Sequence, residues 1–181
     1  FIDFNFQRTL PHKFSQYGPA VAVGDINGDG LEDVVFGGSS RFDESVYVQT
    51  REGKFRKPGI TFKQKENKRE EDEGILLFDA DHDGDNDLYL ARGSYQYEAG
   101  SQFYQHVLAI NDGKGDFRLD TVSIGEIKTC SGPVKAADYD QDGDLDLFVG
   151  GRVLPRAYPK PDRSYILRND TKVKDKPVFT D

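Results

Sequence analysis

DINGDGLED (residues 25–33), DADHDGDND (79–87) and DYDQDGDLD (138–146) are three copies of one nine-residue pattern, Asp-x-Asp/Asn-x-Asp-Gly-x-x-Asp. Side-chain oxygens recur at positions one, three, five and nine: Asp25, Asn27, Asp29 and Asp33; Asp79, Asp81, Asp83 and Asp87; Asp138, Asp140, Asp142 and Asp146. Hard oxygen donors in that number suit Ca²⁺, which takes six to eight at flexible geometry. Position seven (Leu31, Asp85, Asp144) varies in chemistry, as a residue that offers only its backbone carbonyl would. Position six is glycine in every copy (Gly30, Gly84, Gly143), and glycine alone reaches positive φ without a Cβ penalty. Asp/Gly-rich turns also occur without metal. Here the second and third copies crowd five carboxylates into nine residues, and that repulsion opposes folding unless a cation is present.

The flanks say which kind of calcium loop this is. An EF-hand needs a Glu at position twelve and helices on both sides. Position twelve here is Phe36, Leu90 and Val149. Short apolar, β-prone runs surround each loop: 21–23 and 33–36, 75–78 and 87–90, 134–137 and 146–149. Each loop therefore joins two strands of a hairpin. A third strand follows at 46–48, 107–110 and 165–167, then a turn, then a fourth strand starting at Phe55, Phe117 or Phe179. The turn NDGKGD in the second unit is rich in residues that tolerate left-handed backbone. Units of about 50 to 60 residues with four short strands have the size of a β-propeller blade.

The stretches GPAVAVGDINGDGLEDVVFGG, LAINDGKGDF and GPVKAADYDQDGDLDLFVGGR followed by YILRND resemble FG-GAP and VCBS repeats, the calcium-binding blades of integrin α-type propellers. More closely, the chain is similar to extracellular proteins related to cartilage acidic protein and their bacterial surface homologues. The resemblance implies an all-β propeller of about seven blades, of which this chain supplies about three, with Ca²⁺ in each inner hairpin. The expected division is an outer strand of a preceding or closing blade plus linker over 1–17, blades over 18–62, 74–125 and 126–181 (the last truncated), and a charged loop over 63–73. Residues 1–10 or 178–181 are expected to pair with a strand from outside the chain.

The rest of the composition narrows the function classes. The chain has 181 residues, a net charge of −8 and mean hydropathy of −0.68. That charge argues against nucleic acid, and no run is long enough to span a bilayer. Extracellular modules of this class bind calcium with Kd on the order of 10⁻⁴ to 10⁻³ M, so such sites fill outside the cell. The expected location is extracellular or at the cell surface, on the outer membrane if the source is bacterial. Cys130 is alone and cannot form an internal disulfide; it reads as a small buried hydrophobe, or as one half of a bridge to another chain segment. Asn169-Asp170-Thr171 fits an N-glycosylation sequon, and His82 is expected to point to solvent.

Recognition is expected on the face opposite the calcium hairpins. Tyr95, Tyr97, Phe103, Tyr104, Arg156 and Tyr158 are the candidate partner contacts, since tyrosine and arginine dominate binding surfaces. Packing against neighbouring blades is the competing reading of the same rings. The run KQKENKREEDE (63–73) reads as a solvated loop. The carboxylates outside the loops form no catalytic pair. The expectation is a non-catalytic, calcium-stabilised module that binds a protein or glycan; the alternative is the propeller part of an extracellular carbohydrate-active enzyme such as a polysaccharide lyase.

Overall fold

The computed structural model describes residues 1–58, 68–120, 122–174 and 176–181. It holds three four-stranded antiparallel sheets and, among the described residues, no α-helix. The first sheet is β1 (Val21–Gly24), β2 (Asp33–Phe36), β3 (Ser45–Gln49) and β4 (Phe55–Arg56). The second is β5 (Asp72–Phe78), β6 (Asp87–Arg92), β7 (Val107–Ile110) and β8 (Arg118–Asp120). The third is β9 (Ser131–Ala137), β10 (Asp146–Gly151), β11 (Tyr165–Asn169) and β12 (Phe179–Thr180). Each is a meander in chain order, the form of a propeller blade. The register is the same in all three: Gly24 faces Asp33, Phe78 faces Asp87 and Ala137 faces Asp146 across the first hairpin. The nine-residue loops therefore close equivalent hairpins.

Both faces of the middle sheet are apolar because both are covered. Successive side chains on a strand point to opposite faces. Leu88 and Leu90 pack on Val35, Val46 and Val48 of the first sheet. Tyr89, Leu108 and Ile110 pack on Val134, Leu147 and Leu167 of the third. Neighbouring inner strands approach so closely that glycine is required: a Cβ on Gly74 would lie 1.7 Å from the Gly132 carbonyl oxygen.

The segments outside the sheets depart from the sequence reading. Residues 1–10 contain no strand; a 3-10 turn at Asp3–Asn5 begins a segment that folds over the end of the sheets opposite the calcium hairpins. There the Gln7 amide donates to the Tyr158 carbonyl at 2.6 Å and accepts from Tyr158 N at 3.0 Å and the Tyr95 hydroxyl at 2.7 Å. Asp3 is fully buried and accepts from Ser15 Oγ at 2.9 Å. At the other terminus, Phe179 and Thr180 pair with Asn169 and Arg168, so the outer strand of the third sheet is supplied from within the chain.

Positions 63–67 of the charged run lie outside the described residues, and the remainder of the run is not a solvated loop. Lys68 and Asp72 are buried, and Asp72 opens β5. Lys68 Nζ bonds Glu44 at 2.7 Å and Asp72 at 3.3 Å, and Arg92 Nε stands 2.9 Å from Asp72. Paired charges can be buried where unpaired ones cannot, and the partners come from three separate segments that no local pattern links.

Candidate metal centres

Each loop is shaped by its own carboxylates before any ion is considered. The first-position Asp folds the loop around itself. Asp25 accepts backbone N–H bonds from Gly28 and Gly30, both at 2.8 Å, and Asp79 accepts from His82 at 2.8 Å and Gly84 at 3.1 Å. Gly30, Gly84 and Gly143 take φ of 82°, 95° and 102°, as the sequence predicts. Position four is left-handed as well: Gly28, His82 and Gln141 have φ of 71°, 64° and 65°. The pattern gives no hint of this, because two of the three residues there are not glycine. His82 is half exposed, and its Nε2 stands 3.9 Å from an Asp144 carboxylate oxygen of the next loop.

Position nine has a second role that the ligand pattern does not reveal. One oxygen of Asp33, Asp87 and Asp146 accepts the backbone N–H of loop residue two (Ile26, Ala80, Tyr139) at 3.1, 2.8 and 3.0 Å. The other accepts the N–H of the residue at, or just past, the end of the third strand (Gln49, Asn111, Asn169), at 2.8 Å in every copy. All three carboxylates are buried. Each one pins loop, second strand and third strand together.

The positions left over converge. Carboxylate oxygens of Asp79, Asp81 and Asp87 lie within 4.8 Å of one another, and so do those of Asp138, Asp140 and Asp146. These are positions one, three and nine of the second and third loops, and each triad could hold a divalent cation such as Ca²⁺. Asp83 and Asp142, at position five, stand outside the triads, and each accepts from the backbone N–H of position seven. In the first loop Asn27 replaces the third-position carboxylate; its Nδ2 donates to Asp29 at 3.2 Å. Leu31 has no carboxylate to offer. Asp85 and Asp144, at the same position, each bury an Oδ1 that accepts no hydrogen bond.

The electrostatics suit a cation. Burial first, and then the charges of Asp81 and Asp85, push the Asp87 carboxyl up to about 7, against the pull of its two amide hydrogen bonds. Burial and then Asp83 push Asp85 up to about 6, and burial and then Asp142 do the same to Asp144. Raised carboxyls mean that the negative charge is poorly compensated. The donor set is all oxygen, which selects hard cations over zinc or copper.

Consecutive loops are tied to one another. Asn111 Nδ2 donates to Ile26 O of the first loop and to Asn86 O of the second, both at 2.9 Å. Asn169 Nδ2 donates to Ala80 O of the second loop at 3.2 Å and Leu145 O of the third at 3.4 Å. Asn86 Nδ2 adds a bond to Asp25 O at 2.9 Å. Asn169 is buried and engaged here, so the folded chain does not present it as a glycan acceptor.

The aromatic candidates at the opposite end divide. Tyr95 and Tyr104 are fully buried, which corrects their reading as partner contacts. Tyr104 Oη donates to Tyr97 O and accepts from Tyr97 N, both at 3.0 Å. Phe14 of the N-terminal segment lies 5.5 Å from both Tyr95 and Tyr158, and Arg156 bonds Gln96 O at 2.8 Å and covers the Phe6 ring. Tyr97 and Phe103 stay half-buried with ring centroids 4.5 Å apart, and the Arg69 guanidinium lies 5.5 Å from the Phe103 ring. Cys130 is buried, with its Sγ 3.1 Å from Ser94 O, and burial pushes the thiol up to about 12.

A family model described as FG-GAP-like repeat matches residues 25–90 and 79–149, so each match begins on the first Asp of a loop. No curated protein matches the chain.

Proposed function

The chain belongs to the FG-GAP-like repeat family, and on that premise we propose that it is a non-catalytic, calcium-stabilised extracellular module that binds a protein or glycan at the cell surface. The observation that carries the calcium reading is the pair of Asp triads, each drawn together within 4.8 Å at the same positions of a repeated loop. When bound, the ion would supply positive charge to carboxylates that otherwise repel. The protein's own residues do the shaping: position one curls the loop, position nine anchors it, and Asn111 and Asn169 set it against the next. The first loop completes the set in this reading, with Asn27 in place of a carboxylate.

The non-catalytic reading is supported by what several acids outside the loops do. Glu44 and Asp72 bind Lys68 and Arg92, Glu73 pairs with Arg152, Glu98 pairs with Arg156, and Asp162 accepts the Cys130 N–H. A general acid or base needs freedom to meet substrate, and these are engaged in structure. The extracellular reading follows from the weak calcium affinity of such modules. The half-buried pair Tyr97 and Phe103, with Arg69 beside it, is the surface proposed for the partner, on the face away from the ions.

Titration calorimetry of the metal-stripped protein tests the calcium reading. Calcium should bind with heat and raise the melting temperature by mass action on the folded state. Magnesium should substitute poorly, since it requires compact octahedral geometry and gives up water reluctantly. Absence of calcium heat together with a melting curve indifferent to EDTA would overturn it.

A further inference from the structure

Asn27-Gly28 is the one Asn-Gly pair in the chain, and it falls at positions three and four of the first loop. The backbone does not demand glycine there. His82 and Gln141 hold position four of the other loops at φ of 64° and 65°, close to the 71° of Gly28. A Cβ on Gly28 would meet nothing nearer than the Gly113 carbonyl oxygen at 3.6 Å. What glycine supplies is access: with no side chain, its backbone nitrogen is open to the side-chain carbonyl of the residue before it. Asn27 is half-exposed and Gly28 exposed, whereas Asn111 and Asn169 are buried and each is followed by Asp.

The hydrogen bonds of this loop set out the parts of an intramolecular acyl transfer. The Gly28 N–H donates to Asp25 Oδ1 at 2.8 Å, so a carboxylate stands within general-base reach of the proton that a nucleophilic nitrogen must lose. Asn27 Oδ1 accepts from the Asp29 N–H at 3.0 Å, a donor placed where negative charge grows if the amide carbon is attacked. The second and third loops lack this arrangement. Position three there is Asp81 or Asp140, a carboxylate with no amine to expel.

We propose that Asn27 is a self-modification site: it deamidates through a cyclic imide, and an ion in the loop restrains the reaction. Gly28 N forms a bond to Asn27 Cγ, and its proton passes to the Asp25 carboxylate. The Cγ–Nδ2 bond breaks, and the amine leaves as ammonia with a proton returned through solvent. Water then opens the imide. Opening at the side-chain carbonyl leaves an aspartate at position 27 and an ordinary peptide bond to Gly28. Opening at the main-chain carbonyl leaves an isoaspartyl link, which lengthens the main chain by one carbon and breaks the ligand spacing. The aspartate product gives the first loop carboxylates at positions one, three, five and nine, as in the other two. More ligand charge raises calcium affinity. The restraint rests on the calcium reading above: there Asp25 and Asn27 Oδ1 turn to the ion, which withdraws both the proton acceptor and the attacked carbonyl.

Peptide mapping by mass spectrometry reads the reaction. Protein stripped with EDTA and protein loaded with calcium are held at mildly alkaline pH, and residues 25–33 are followed for the mass gain of amide to acid. That stretch holds no other side-chain amide, and Asp-Gly pairs rearrange without a change of mass, so the gain belongs to Asn27. The stripped protein should gain mass severalfold faster than the loaded one. Gly28→Gln, which places the third loop's residue at this position, should slow the gain severalfold. Asn27→Asp, the product made directly, should bind calcium more tightly than wild type at the first loop in calorimetry. An unchanged mass in the stripped wild type overturns the proposal. So does an equal rate in Gly28→Gln, or an equal rate in protein that calorimetry shows to be loaded. Absence of calcium heat would instead sink the calcium reading, and the stripped arm would still decide the modification.

Discussion

His106 is a buried side chain whose tautomer can be read from its partners. Nε2 stands 3.2 Å from Thr129 O, which can only accept, so Nε2 carries the proton; Nδ1 then accepts from the Tyr89 hydroxyl at 2.9 Å. Burial lowers its protonation to about pH 4, against the opposite pull of the Thr129 bond. An unfolded histidine titrates near 6.5. Between those values the unfolded chain binds the proton and the folded one does not, so stability falls as the pH drops from about 6.5 towards 4. Denaturant midpoints across that window should show His106→Gln losing roughly one proton's worth of slope relative to wild type; parallel profiles would exclude the assignment. Position nine of the first loop gives a second test, and the substitution of Asn27 for a carboxylate makes this loop the cleanest place for it. With EDTA present, Asp33→Ala should lose about 2–4 kcal/mol, because two backbone N–H groups lose their acceptor. Asp29→Ala, which strips one exposed backbone bond, should lose less than about 1 kcal/mol under the same conditions. Equal losses in denaturant melts would mean that Asp33 acts as a ligand alone.

Among the elements, the turn after the third strand carries the connection between blades. The residue that leads into it, last in the strand or first after it, is Gln49, Asn111 or Asn169 in the three sheets. Only the two asparagines have a preceding calcium loop beside them, and both bridge to it. Among the described residues the Gln49 side chain makes no hydrogen bond, so Gln49→Ala should be near neutral. Asn111→Ala should cost about 1–3 kcal/mol by stranding the carbonyls of Ile26 and Asn86. It should also weaken calcium at both the first and second loops, since one amide sets their spacing. Calorimetry of the variant that found only one class of site weakened would break that link.

Across the whole molecule, the middle loop is held on both sides and the outer two on one. Asp81 is fully buried, whereas Asp138 and Asp140 are exposed. More ligand charge and a more rigid site raise calcium affinity. The second loop should therefore fill first on titration and empty last on chelation, the third should follow, and the first, with Asn27, should be the weakest. Terbium luminescence with one loop disabled at a time at position three (Asn27→Ala, Asp81→Ala or Asp140→Ala) would rank them; a tightest first loop would contradict the role given to burial and charge.

The sequence by itself determined the loops and the strands of the three sheets, but it also called for an outer strand over residues 1–10 that the fold replaces with a 3-10 turn. Ligand spacing, the glycine at position six and the two-residue alternation all act within nine or ten residues, so a local pattern suffices to specify them. It also located Asp79, Asp81 and Asp87 and their counterparts in the third loop, because the loop that holds them is continuous. Tertiary structure alone decided the rest. Tyr95 and Tyr104 read as surface aromatics until Gln7, Phe14 and the neighbouring loops close over or beside them. The charges of Lys68 and Asp72 read as solvated until Glu44 and Arg92 reach them. Asn169 reads as a glycan acceptor until Ala80, 89 residues away, accepts its amide. Burial is a property of which distant segments meet, and the free energy of a polar or aromatic side chain depends on that meeting more than on its neighbours in the chain.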